Sequence, residues 1–165
     1  ILIPHALCGI LAFLLGPTQF STRLRLYSVR LHRTLGRTYV ACVAIAAPLA
    51  IWSTAYADYP HPHYFQAATA VQGTAWFTTT AVAFIAAICR RIPTHRRWMI
   101  RSYAVTFTFV STRVLRPIPA WNHMGRGRIA VAIICVTLAS IFAPEIGSQL
   151  ASLFKRLSTS SPSAP

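Results

Sequence analysis

Long apolar blocks alternate with short basic segments along the chain. The apolar blocks cover residues 1–16, 38–56, 67–89, 102–118 and 129–143. A helix needs about 20 mainly apolar residues to cross a bilayer, and only helices or closed barrels satisfy the backbone polar groups in lipid. Unbroken runs of this length favour helices. The pattern therefore predicts an all-α, integral membrane helical bundle with about five transmembrane helices.

The two ends of the chain differ from the blocks between them. The first block is a little short for a span, which is consistent with further residues upstream of Ile1. At the other end, the sequence STSSPSAP has the serine and proline content of a flexible segment. We therefore expect a transmembrane bundle over residues 1–148 and a flexible tail over residues 149–165.

Composition supports the membrane interpretation. The chain is 55% hydrophobic and 11% charged, whereas an ordinary soluble domain is about 25% charged. Sixteen Lys and Arg residues stand against two acids, Asp58 and Glu145. The cations lie between apolar blocks and form no continuous basic surface, so nucleic acid is not an expected partner. Four single cysteines without a C-x-x-C pair argue against a zinc site or a disulfide framework.

The distribution of Lys and Arg predicts an orientation. If the helices alternate, twelve of the sixteen cations fall on one side, three on the other, and Arg113 lies within a helix. Loops rich in Lys and Arg remain on the cytoplasmic side of a membrane. The arginine-rich loops and the C-terminal tail are therefore expected on the cytoplasmic side, or on the equivalent side of an organelle.

A short motif occurs twice. Residues 33–39 and 97–103 both read R-x-x-x-R-[S/T]-Y, 64 residues apart, and each copy opens a helix that enters from the same side. A duplicated two-helix hairpin would explain this repeat.

Two histidines are each followed by a glycine four residues later. These pairs are His5 with Gly9 and His32 with Gly36. Residues i and i+4 share a helix face, so an imidazole would lie beside a surface without a side chain, where a haem could bind. The alternative is that the glycines permit close helix packing, as small residues commonly do in membranes.

His95 is expected at the same depth as His32, at the arginine-rich side. Two histidines on different helices could hold one haem iron, and nearby arginines could neutralise the propionates. The alternative is that both histidines merely lie at the water interface. The candidate cofactor residues are thus His5, Gly9, His32, Gly36 and His95, for haem b or a quinone, with no metal beyond the haem iron.

The arginines form a second candidate site, for an anionic ligand or a lipid. Its members are Arg33, Arg37, Arg97, Arg101, Arg113 and Arg116. No acid stands in the segment 95–107, so its cations are taken as uncompensated. Arg113 follows Arg101 by twelve residues, about 18 Å along a helix, and a charge at that depth is costly unless it is paired or snorkels. Asp58 is the acid placed to pair with it, whereas Glu145 is not.

Several enzyme classes are excluded. The chain has no carboxylate pair, no glycine-rich phosphate loop and no G-x-S-x-G motif. Its threonines and serines on the fourth block have no basic partner that would make one a nucleophile. Hydrolysis and phosphoryl transfer by this chain alone are therefore not expected, and a redox role is the enzyme activity left open.

Three stretches resemble a known family. They are H-x-x-x-G-x-x-A-x-x-x-G-P-x-Q-F from His5, L-H-R-x-x-G-R-x-Y from Leu31, and H-R-R-W-M-I-R-S-Y-A-x-T-F from His95. Together they are similar to predicted multi-pass membrane proteins grouped as domain of unknown function 2306, over about residues 5–120. The resemblance implies a helical membrane bundle, often with a further helix upstream, and no established activity. The positions carried over are His5, Gly9, Gly16, Pro17, His32, Gly36, Arg37, Tyr39, His95, Arg96, Trp98, Arg101, Tyr103 and Arg113.

Three functions remain open at this stage. The first is a redox or electron-transfer module that binds haem b or a quinone. The second is a non-catalytic accessory subunit of a larger membrane complex, which binds lipids and partner subunits. The third, transport of a small anion or lipid, depends only on Arg113 and Arg116.

Overall fold

The computed structural model describes residues 2–56, 62–114 and 125–159, and these residues are almost entirely helical. The helices are α1 (Leu2–Phe20), α2 (Thr22–Tyr27), α3 (Val29–Tyr56), α4 (His63–Ile88), α5 (Ile92–Val114) and α6 (Arg126–Thr159). The predicted all-α membrane bundle is confirmed.

Four of these helices are long and apolar enough to cross a membrane: α1, α3, α4 and residues Gly127–Gly147 of α6. Helix α5 contains most of the fourth apolar block, but its first turns carry His95 and three arginines, which lower its hydropathy below that of a span. It nevertheless belongs to the bundle, since Met99, Val105 and Phe109 lie in the main core. The predicted count of five therefore corresponds to four clear spans and one amphipathic bundle helix.

Helices α3 and α5 begin earlier than the apolar blocks suggest. Ser28 precedes α3, and its hydroxyl accepts a hydrogen bond from Leu31 N at 3.2 Å, as an N-cap serine does. Arginine has high helix propensity, so the basic residues extend these helices beyond their apolar parts. At the other end of the chain, α6 continues to Thr159, so helix extends into the segment expected as a tail. Residues 160–165 lie outside the described part.

The helices pack as an antiparallel series. The pairs α1 with α3, α3 with α4, and α4 with α5 follow the chain, and α6 packs on both α4 and α5. The first turns of α4 and α6 meet through Ala68, Ala130 and Ile133, so these two helices run parallel. Helices α3 and α5 consequently begin at the end of the bundle where α1 and α4 finish. We call this the arginine-rich end.

Small residues contribute to the contacts between helices. Buried alanines at Ala46, Ala47 and Ala83 let the backbones approach closely, which is the usual basis of helix association in lipid. Large apolar side chains on α1 point outward instead: Leu2, Ile3, Leu7, Ile10, Leu11 and Leu14 are all exposed. An apolar surface of this kind is suited to lipid contact.

A group of hydroxyls crosses the core. The Tyr39 hydroxyl lies 2.7 Å from Ser102 Oγ and 3.0 Å from Thr106 Oγ1, and Ser102 Oγ lies 2.7 Å from Thr80 Oγ1. Gln72 donates to Thr108 Oγ1 at 3.0 Å nearby. These bonds join α3, α4 and α5, because buried polar groups in a membrane protein must find partners within it.

Candidate functional site

The two copies of the R-x-x-x-R-[S/T]-Y motif meet at the arginine-rich end. Between them lies a cavity of about 320 Å³, near the lower limit of the roughly 300–1,000 Å³ usual for ligand pockets. We call it the interfacial cavity. Its lining residues are Gln19, His32, Arg33, Gly36, Arg37, Val40, Phe84, Ala87, Ile88, Arg90, His95 and Met99.

The interfacial cavity has a basic part and an apolar part. Arg33, Arg37 and Arg90 are exposed side chains at its polar side. Val40 and the buried Met99 form its inner wall, while Phe84 and Ile88 line it on the outer surface of α4. This arrangement suits an amphipathic molecule whose polar head meets the guanidinium groups and whose apolar part lies along the bundle.

His32 and His95 contribute to the same cavity, as their expected common depth predicts. The Nδ1 atom of His95 lies 2.8 Å from the carbonyl oxygen of Ala83. A backbone carbonyl accepts, so Nδ1 carries the proton and Nε2 is the nitrogen left to face a ligand. The Nδ1 atom of His32 is buried and forms no hydrogen bond with any described residue. A buried polar atom of this kind needs a partner.

His5 lies elsewhere in the bundle. Its Nδ1 atom is 2.9 Å from the carbonyl oxygen of Ala46 on α3. Ala46 follows His32 by fourteen residues, so His5 is about 21 Å from the level of His32 along the helix axis. The structure thus brings His32 and His95 together and leaves His5 apart. A single haem iron could use only the first two.

The glycines differ from one another in what surrounds them. A Cβ atom on Gly36 would lie 2.9 Å from Oε1 of Gln19, whereas one on Gly9 would have no heavy atom within 4 Å. Gly36 therefore allows α1 to approach α3 closely beside the cavity, whereas Gly9 does not serve close packing. Gly16 has the tightest environment, because its Cβ would overlap the ring of Tyr103.

Arg101 has an acid partner, which corrects the expectation of uncompensated cations. Its Nη2 atom donates to Oε2 of Glu145 at 2.7 Å, and its Nε donates to the carbonyl oxygen of Ile141 at 3.1 Å. The guanidinium also lies 4.7 Å from the centre of the Trp98 ring. Arg101 therefore joins α5 to α6 and does not line the interfacial cavity.

The remaining predicted arginines divide into two groups. Arg97 is exposed and lies outside the cavity lining. The side chain of Arg113 and all of Arg116 and Asp58 fall outside the described residues, so their proposed pairing stays a prediction. Among the described residues, no group of three or more His, Cys, Asp or Glu side chains is arranged to hold a metal ion.

Sequence reasoning missed Arg90 as a cavity residue. It follows the end of α4 and has a φ of 58°, in the left-handed region where glycine is the usual residue. Arg91 N donates to the carbonyl oxygen of Ala86 at 2.8 Å, which closes the helix end. The sequence signal for this cavity residue is a basic residue directly after an apolar helix, at a position where glycine is easier to accommodate.

The chain matches the sequence profile of one protein family. No curated protein and no solved structure shows significant similarity to it. The sequence profile of one family, described as predicted membrane protein (DUF2306), matches residues 2–146. That range includes α1 to α5, the apolar part of α6 and every lining residue of the interfacial cavity. The chain therefore belongs to the DUF2306 family of predicted membrane proteins.

Proposed function

We propose that the protein is a membrane module that binds an amphipathic ligand in the interfacial cavity. The observation that supports this proposal is that two histidines, three arginines and an apolar wall line the same cavity between α3, α4 and α5. A membrane protein can fill such a cavity with a molecule that reaches it from the lipid, because Phe84 and Ile88 lie on the outer surface.

A redox cofactor is the first candidate ligand. The Nε2 atom of His95, held by the Nδ1–H···O=C bond to Ala83, has the support that haem-ligating and metal-ligating histidines commonly have. His32 would supply a second ligand, and Arg33 and Arg37 would contact carboxylates. A quinone would use the same histidines as hydrogen-bond partners for its carbonyl groups. In either case the protein would act in electron transfer.

An optical spectrum of the purified protein tests the haem version. A Soret band, with haem b in the pyridine assay, supports it, and the band should be lost in His95→Ala but retained in His5→Ala. Absence of both signals overturns it. For the quinone version, solvent extraction of the purified protein should release a quinone at a fixed ratio, which His95→Ala should reduce. An extract without quinone contradicts this version.

A lipid-binding accessory subunit is the second candidate. It is supported by exposed arginines outside the interfacial cavity, such as Arg96 and Arg97, which suit lipid phosphates or an acidic partner. Co-purification with other subunits at fixed stoichiometry is the expected result in mild detergent. A stable monomer without associated chains argues against this role.

A further inference from the structure

We propose that the ligand of the interfacial cavity carries a phosphate monoester as its head group. This inference rests on the proposed function, an amphipathic ligand in the interfacial cavity, and it names a phosphorylated ligand in place of haem b or a quinone, which carry no phosphate. The shared chemistry is a phosphate group with two negative charges, which an anionic lipid or a soluble phosphate compound could supply.

Charge is the first argument. Three arginines line the cavity, and none of the lining residues is acidic. The whole chain has two acids, of which Glu145 already binds Arg101 on another face of α5. The ammonium group of a zwitterionic head would therefore find no carboxylate here, whereas phosphate oxygens accept well-directed hydrogen bonds from guanidinium groups.

The histidines supply the second argument. The buried Nδ1 atom of His32 forms no hydrogen bond with a described residue, and Nε2 of His95 remains available after its other nitrogen is bound to Ala83. The imidazole of His32 can donate one hydrogen bond even when it is neutral. A phosphate monoester, which has a second pKa near 6, offers three acceptor oxygens, enough for donors that come from two sides of a cavity.

Arg90 supplies the third argument. Its left-handed backbone conformation is unfavourable for a residue with a side chain, yet the position places a guanidinium in the cavity lining. Unfavourable backbone conformations are concentrated at ligand sites, where the side chain is needed. Arg33 and Arg37 on α3 thus face a third cation at the end of α4.

The apolar wall limits the source of the phosphate. Val40, Met99 and Phe84 would contact carbon atoms next to the head group, so a phosphate attached to an acyl or isoprenoid chain fits better than free phosphate. The volume of about 320 Å³ admits the head and the first part of a chain.

Binding to delipidated full-length protein in mild detergent, followed by native mass spectrometry, tests the inference. The probes are phosphatidic acid, phosphatidylcholine and inorganic phosphate. We expect phosphatidic acid to bind at least tenfold more tightly than phosphatidylcholine. The double variant Arg33→Gln/Arg37→Gln should lose at least tenfold of this affinity, and Arg37→Lys should lose less. Arg30→Gln is the matched control, since Arg30 is exposed on α3 and lies outside the cavity lining, and its affinity should stay within twofold.

Equal binding of the two lipids, or an equal loss in Arg30→Gln, overturns the phosphate inference. Inorganic phosphate that binds as tightly as phosphatidic acid, with the same dependence on Arg33 and Arg37, supports a phosphate site supplied from solution. Failure of millimolar phosphate to compete supports a lipid source. The three substituted arginines, Arg30, Arg33 and Arg37, are exposed, so folding should be retained, and circular dichroism checks it.

The variant Ala87→Phe separates this inference from the proposed function. Suppose that Ala87→Phe abolishes the binding of both lipids, whereas Arg33→Gln/Arg37→Gln leaves their affinities unchanged. The interfacial cavity then binds an amphipathic ligand, but the phosphate inference is wrong. If Ala87→Phe changes no binding at all, both are wrong.

Discussion

The Tyr39 hydroxyl lies 2.7 Å from Oγ of Ser102, and these two residues belong to the two copies of the repeated motif. Tyr39 ends the first copy, R-x-x-x-R-T-Y, and Ser102 is the sixth residue of the second, R-x-x-x-R-S-Y. The repeated segments are therefore in direct contact in the core, immediately below the interfacial cavity. The two basic helix starts therefore stand side by side.

Substitution Tyr39→Phe is expected to destabilise the bundle by about 1 kcal/mol, because it removes hydrogen bonds to Ser102 and Thr106 within the core. Thermal unfolding in detergent measures the effect. Tyr27→Phe is the control, since Tyr27 is 86% exposed on α2. Equal stability of the two variants would contradict a structural role for the hydroxyl cluster.

The ion pair between Arg101 and Glu145 is expected to couple α5 to α6 weakly. A double-mutant cycle with Arg101→Gln and Glu145→Gln should give a coupling free energy of about 0.5–1 kcal/mol, because the Glu145 side chain is 42% exposed and solvent screens the pair. The coupling should decrease in high salt. A cycle that closes without coupling would mean that Arg101 acts through Ile141 and Trp98 alone.

Gly16→Ala is expected to destabilise the protein by about 1–3 kcal/mol, since a Cβ atom there overlaps the Tyr103 ring. Gly9→Ala on the same helix is the matched control, because its Cβ meets no heavy atom within 4 Å. There, alanine should be neutral or should stabilise the helix by about 0.5–1 kcal/mol. Unfolding midpoints measure both changes, and the prediction fails if the two variants respond alike.

Arg90→Gly is expected to stabilise the fold while it weakens ligand binding. The residue has a φ of 58°, where glycine avoids a cost of roughly 1 kcal/mol. It also lines the interfacial cavity, so loss of its guanidinium removes a contact to an anionic head. Unfolding and lipid binding are measured together, with Arg91→Gly as the control. Equal gains in stability from the two substitutions would contradict the backbone argument.

The fold class could be predicted because it depends on local properties. Apolar runs such as 67–89 report a preference for lipid whatever packs beside them, so an all-helical membrane protein followed from the sequence. The same reasoning placed the starts of α3 and α5 too late. Hydropathy does not register the basic first turns, although arginine is a good helix former and its charge remains at the interface.

The candidate site could be predicted only in part. The sequence determined that His32 and His95 lie at one depth, because both stand near the starts of helices that enter from the same end. Only the tertiary structure decided that they share a cavity, that His5 lies about 21 Å away in level, and that Glu145 binds Arg101. Depth in a bilayer follows from position along one helix, but neighbours across helices follow from packing. In this protein that packing is governed by small residues, Gly16 and Gly36 among them, and by the hydroxyl contact between Tyr39 and Ser102.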